Sequence, residues 1–217
     1  MTIFIMDKIK AKKIFGILSK EYPQTKCFLV HKNPHQLLVA TILSAQCTDK
    51  RVNIVTKTLF KKYKTIHDFA DADLPEFETD IRSTGFYKNK AKNIINTSKI
   101  ILEQFGGKVP KTMDELLTLS GVARKTSNIV LFHGFGKTEG VAVDTHVKRL
   151  SGRLGLSKNT DPVKIEKDLM KLFDKNNWGI LTNLLIEHGR NVCDARKPLC
   201  DKCSLAKMCP SVNNVQK

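Results

Sequence analysis

The chain has 217 residues, with 37 Lys and Arg against 21 Asp and Glu, and a formal net charge of +16. At 41% hydrophobic and 27% charged it is too apolar for a disordered chain, and its length suits one large or two small domains. No run approaches the roughly 20 apolar residues that span a bilayer. The apolar start Met1–Met6 is too short for a signal peptide, and Asp7 follows it directly. An intracellular, cytoplasmic protein with reduced thiols and no membrane partner is expected.

The charge is uneven along the chain. Residues 1–64 carry 13 bases and 3 acids, whereas residues 65–80 carry six acids and no base. A polyanionic partner suits the excess, and the acidic segment should turn away from it. A lysine-rich solvated surface would give the same composition.

Helical periodicity dominates the elements. Asn33-Pro34 reads as an N-cap and first residue, opening an apolar helix through Leu37, Leu38, Val39, Ala40, Ile42 and Leu43 that should be buried all round. From Lys88 to Gln104, apolar residues recur at spacings of three and four until Gly106-Gly107 stops the run. Residues 112–134 read as helix Met113–Leu119, tight turn Ser120–Ala123, and helix Arg124–Leu131. Such a turn directs main-chain N–H groups and a helix dipole outward, which suits a phosphate. The apolar run Val141–Val143 then reaches Asp144 at a helix start, where an ordinary N-cap is the simplest role. Thr160-Asp161-Pro162 opens a further helix, and another holds Leu181, Leu184, Leu185 and His188. No segment alternates with period two. The fold class is all-α.

Four of the six cysteines crowd the C-terminus as Cys193-x6-Cys200-x2-Cys203-x5-Cys209, and Cys27 and Cys47 stand apart. Four close thiols in a reducing compartment suit zinc or an iron–sulfur cluster, and the spacing alone leaves both open. The loop between them is basic, with Arg196, Lys197, Lys202 and Lys207. Arg190 lies just upstream.

Together these segments resemble the endonuclease III family of DNA glycosylase/AP lyases, within the helix-hairpin-helix glycosylases. The resemblance rests on Leu43-Ser44-Ala45-Gln46 with Thr48-Asp49, Gly85-Phe86-Tyr87, the hairpin Leu119–Thr126, Val143-Asp144-Thr145-His146, His188-Gly189-Arg190 and the cysteine pattern. These run in family order over nearly the whole chain.

The resemblance implies two α-helical lobes. Residues 27–138 would form a six-helix barrel with the helix-hairpin-helix at about 112–134, and residues 1–26 with 139–217 the second lobe. A [4Fe-4S] cluster on Cys193, Cys200, Cys203 and Cys209 would order the basic loop, so the resemblance favours iron–sulfur over zinc. The implied activity is a bifunctional glycosylase and AP lyase of base excision repair, acting as a monomer on damaged pyrimidines in double-stranded DNA. Such a protein would be cytoplasmic or nucleoid-associated.

The resemblance also implies roles for single residues. Lys125 would attack the sugar C1′ and form a Schiff base, and Asp144 would accept a proton and stabilise positive charge on the sugar. A nearby carboxylate raises a lysine pKa, so Asp144 would not make Lys125 neutral by its charge. Gln46 would fill the gap left by the flipped nucleotide, with Phe86 wedged beside it where many relatives carry Leu. Gly121, Ala123, Arg124, His146, Arg190, Arg196 and Lys197 would meet DNA. His188 and Cys47 are expected to be structural, the latter a small buried residue.

The family hairpin usually reads Leu-Pro-Gly-Val-Gly, and here it reads Leu119-Ser120-Gly121-Val122-Ala123. Ala123 would be strained if its position needed a positive φ, and the phosphate grip would weaken. Two other functions fit parts of the pattern. A monofunctional adenine or mismatch glycosylase would usually lack the hairpin lysine, and the adenine type usually has an extra C-terminal domain. A non-enzymatic helix-hairpin-helix DNA-binding module would form no covalent intermediate.

Overall fold

The structure, a computed structural model, describes residues 2–212, with side chains from residue 7 onward. Met1 and the side chains of residues 2–6, part of the apolar start noted above, lie outside the described residues. The chain divides into two compact units, one of residues 1–26 with 138–217 and one of residues 27–137.

Helix α1 (Thr2–Glu21) belongs to the discontinuous unit. The continuous unit then runs through α2 (Pro34–Leu43), α3 (Asp49–Lys62), α4 (Ile66–Ala70), α5 (Leu74–Ile81), a 3-10 turn Arg82–Thr84, α6 (Tyr87–Phe105), α7 (Met113–Leu117) and α8 (Arg124–Ile129). The chain returns to the first unit with α9 (Thr145–Arg153), α10 (Pro162–Leu172) and α11 (Trp178–Asn191), then short 3-10 turns at Cys200–Lys202 and Ala206–Met208. Among the described residues there is no strand.

Local signals set the helix starts. Asn33 accepts the Gln36 amide ahead of Pro34, Thr48 accepts that of Arg51, and Asp161 accepts that of Lys164 ahead of Pro162. Helix α2 is enclosed on every side, with Gln36 to Leu43 all buried. It forms the axis of the continuous unit, where α4, α5 and the long α6 pack together around Phe69, Phe77, Ile81, Ile94 and Ile101. Left-handed Gly106 (φ 57°) ends α6 at the predicted stop.

One sequence expectation changes here, and the acidic segment proves to be engaged locally. Asp68 closes a capping box with Thr65, Asp73 caps α5, and Glu76 and Asp80 both hold Lys62, at 2.7 and 2.6 Å. The second hairpin helix is shorter than Arg124–Leu131. It is α-helical only to Ile129 and widens to a π turn over Val130–Gly134, with Gly134 lying close against Pro34 and Leu37.

In the discontinuous unit, α1 packs on α10 and α11, and α9 on α11. The buried faces are those expected from periodicity, with Ile165 and Leu169 on α10 and Leu181, Leu184 and Leu185 on α11. Ala142 and Thr182 exchange hydrogen bonds that pin the run before α9 to α11.

Candidate functional site

In the continuous unit, the turn after α2 and the turn before α6 each end in a residue forced into left-handed backbone. Gln46 has φ 52° and Phe86 φ 49°, a conformation that costs an L-residue about 1–2 kcal/mol. Gln46 is exposed, and Phe86 is 64% exposed, so neither is held there by burial of its own side chain. A core role for Phe86 is excluded. Cys47 beside Gln46 is half-buried against the core rather than enclosed.

The hairpin lies further along the same unit. Gly121 has φ 72°, and a Cβ there would come within 2.5 Å of Asn93 Nδ2, so only glycine fits. Thr97 Oγ1 donates to Ser120 O at 2.8 Å, tying the turn to α6. Ala123 has an extended backbone (φ −110°, ψ 172°), so the condition for strain there is not met. No side chain caps the start of α8, where half-buried Arg124 and Lys125 form the first turn and Gly121 and Ala123 are exposed.

In the discontinuous unit, Asp144 is the N-cap of α9. Its Oδ1 accepts the Val147 amide at 2.8 Å, and Oδ2 lies 3.4 Å from His146 Nδ1. Its side chain is 19% exposed and that of His146 27%. The N-cap reading of the sequence therefore holds, and it leaves the second carboxylate oxygen turned towards the histidine.

The four C-terminal cysteines line one small cavity with Leu150, Leu154, Val192 and Leu199. Burial pushes the Cys200 thiol up, and nearby Cys193 and Cys209 push it further. His188, 1% exposed, places Nε2 3.4 Å from Cys203 Sγ and Nδ1 3.2 Å from Tyr22 Oη. Its burial suits the structural role expected of it. The Asp194 carboxylate accepts the amides of Arg196 and Lys197 at 2.8 and 3.1 Å, which hold its pKa below the usual range. The resulting turn leaves the Arg196 and Lys197 side chains exposed, and Arg190 is exposed as well.

Sequence reasoning missed the residues that brace this loop. Arg153 donates to Asp194 O and Ala195 O at 2.6 and 2.8 Å and reaches Cys193 Sγ at 3.3 Å. Arg149 holds Gly189 O and Cys193 O, at 2.9 and 3.0 Å. Their i, i+4 spacing on α9 was the available signal. A Cβ on Gly189 would lie 3.0 Å from both Arg149 Nη2 and His146, which explains the glycine of His188-Gly189-Arg190.

Residues 39–175 match the model of the HhH-GPD superfamily base excision DNA repair proteins. Endonuclease III of Synechocystis sp. is 57% identical over 204 residues, covering 94% of this chain and 93% of that protein. The chain belongs to the endonuclease III family. It is therefore a DNA glycosylase and AP lyase of base excision repair. Endonuclease III of Bacillus subtilis is 49% identical over 189 residues, 87% of this chain and 86% of that one. Among solved structures, a non-covalent endonuclease III–DNA complex has a TM-score of 0.91 at 44% identity, over 94% of this chain and 96% of the other. A trapped endonuclease III–DNA covalent intermediate scores 0.92 at 43% identity, over 97% and 99%. For this endonuclease III family member, the described residues contain no helix long and apolar enough to cross a membrane.

Proposed function

We propose that Lys125 is the nucleophile of a glycosylase/AP lyase acting on double-stranded DNA, with oxidised pyrimidines as the preferred bases. The observation that carries this reading is the position of Lys125. It is the second residue of α8, directly after a glycine turn, in a chain of this family. Its amine attacks the sugar C1′ and the damaged base departs. The resulting Schiff base acidifies the adjacent C2′ proton, so β-elimination breaks the strand on the 3′ side.

Asp144 is fixed by its cap to Val147 and by His146, so its carboxylate meets the developing positive charge on the sugar without reorganising. The same carboxylate accepts a proton in the later steps. Gln46 and Phe86 enter the stack vacated by the flipped nucleotide, and their exposure on strained turns supports that role. The Gly121–Ala123 amides, Arg124, His146, Arg190, Arg196 and Lys197 bind the backbone around the lesion.

The four cysteines fit a [4Fe-4S] cluster better than zinc. They line a common cavity, and membership of this family favours iron–sulfur over zinc. A cluster held by Cys193, Cys200, Cys203 and Cys209 would supply order to the basic loop. Base excision transfers no electrons, so the excision step would draw on the cluster for order and not for redox chemistry.

The test is borohydride trapping on duplex DNA containing thymine glycol or an abasic site. Wild-type protein should give a covalent adduct and Lys125→Gln none, with duplex binding retained. Base release without an adduct would mean a monofunctional glycosylase. Tight binding with neither would mean a DNA-binding module.

A further inference from the structure

Helix α6 carries a lysine that neither periodicity nor charge explains. Lys90 is 4% exposed, on the buried face of the helix. Its Nζ donates to Leu43 O and to Thr84 O, both at 2.8 Å. Both acceptors are main-chain carbonyls at helix ends, where the regular ladder leaves such groups without partners. Leu43 is the last residue of α2 and Thr84 the last of the 3-10 turn before α6. The chain reaches Gln46 three residues after the first and Phe86 two residues after the second. The Lys90 amide meanwhile closes the first turn of α6 on Phe86 O, at 3.2 Å.

A buried ammonium is costly to desolvate, and burial pulls the Lys90 pKa down. An apolar residue would satisfy packing at lower cost. What only a long cationic donor does here is join two chain segments 47 and 6 residues distant from it at a single nitrogen.

We propose that Lys90 is a positioning residue for strand opening, locking the Gln46 and Phe86 turns into one rigid wedge by bridging the carbonyls of Leu43 and Thr84. The proposal rests on the reading of Gln46 and Phe86 as the side chains that fill the opened stack. With the bridge in place, the two turns cannot move independently, so their side chains meet the duplex preorganised. Without it, each strained turn can relax and the wedge loses its register. The chemistry at Lys125 does not need the wedge once a nucleotide is already unpaired.

The experiment compares single-turnover excision of thymine glycol in a fully paired duplex with the same lesion inside a short unpaired bubble. Lys90→Met and Lys90→Gln are measured beside Gln46→Ala and Phe86→Ala, with helical circular dichroism checked for each. Each Lys90 variant should lose about tenfold or more on the paired substrate and stay within about twofold on the bubble. Equal losses on both substrates overturn the proposal, because Lys90 would then support the fold or the chemistry at large. Unfolding of both Lys90 variants overturns it in the same way. If Gln46→Ala and Phe86→Ala show no dependence on pairing, the wedge reading itself fails and this proposal falls with it. If they do and the Lys90 variants do not, Lys90 alone is wrong.

Discussion

Gln46 and Phe86 share a left-handed backbone that no other non-glycine residue among the described ones adopts, and both side chains are exposed. Strain without compensating burial marks positions where activity rather than stability selects the residue. Replacing either by glycine removes the Cβ conflict. Gln46→Gly and Phe86→Gly should therefore leave stability unchanged or raise it by about 1 kcal/mol. Both should lower excision from paired duplex. Urea unfolding and single-turnover excision on the same preparations check the opposite signs. A stability loss at both positions would show that these side chains are structural.

The hairpin makes two small residues unequal. Gly121 combines a φ of 72° with Asn93 atoms where a Cβ would sit, whereas Ala123 is extended. Gly121→Ala should cost about 1–3 kcal/mol and weaken duplex binding, because the turn must shift away from α6. Adding Asn93→Ala relieves the overlap but not the positive φ, so recovery should be partial. Ala123→Gly should change duplex affinity by less than about twofold, since the backbone there already suits alanine. Fluorescence anisotropy with a labelled duplex measures all three.

Much of this was legible in the sequence, for reasons tied to particular residues. Asn33-Pro34, Asp161-Pro162 and Gly106 act locally, through one amide or one φ, so sequence order alone reveals them. Gly121 and Lys125 were legible only through the surrounding family motifs. Lys90 was not legible, because its partners Leu43 and Thr84 lie on other elements and a lysine on a periodic helix reads as solvated. Whether Ala123 is strained turned on one dihedral, which sequence does not carry. The local work of the acidic segment was not legible from charge alone, because Asp68 and Asp73 are caps and Asp80 holds Lys62.

The loop between the cysteines should act on DNA through charge alone. Its Arg196 and Lys197 side chains are exposed, and their turn is fixed by Asp194. Arg196→Ala and Lys197→Ala should each lower the slope of log affinity against log salt by about 0.9, and the double variant by about twice that. Removing the proposed cluster with chelator and oxidant should give a similar loss of slope. The Arg149 and Arg153 side chains hold the loop at Cys193, Asp194 and Ala195. Helical circular dichroism should be retained, since α9 and α11 pack directly on one another. A cluster-free protein with an unchanged salt slope would separate the loop from DNA binding.

His35 makes acid sensitivity a specific expectation. Its Nε2 lies 3.1 Å from Ser98 Oγ, and Ser98 donates its own proton to Ile94 O at 2.9 Å. The histidine is therefore the donor, with its ring edge-on to Phe69 at 5.0 Å. Burial lowers its pKa to about 4 from the ordinary 6.5. Above pH 6.5 the ring is neutral in both folded and unfolded chains and its titration does not affect stability. As pH falls from 6.5 towards 4, the unfolded chain takes up a proton that the folded one refuses, so stability declines. Across the full window the loss approaches about 3 kcal/mol. The difference in urea unfolding free energy between wild type and His35→Gln, followed from pH 7.5 to 4.5, isolates this term from the carboxylates. The wild type should lose more stability on acidification than the variant. Parallel pH profiles would mean that His35 titrates alike in the folded and unfolded chains.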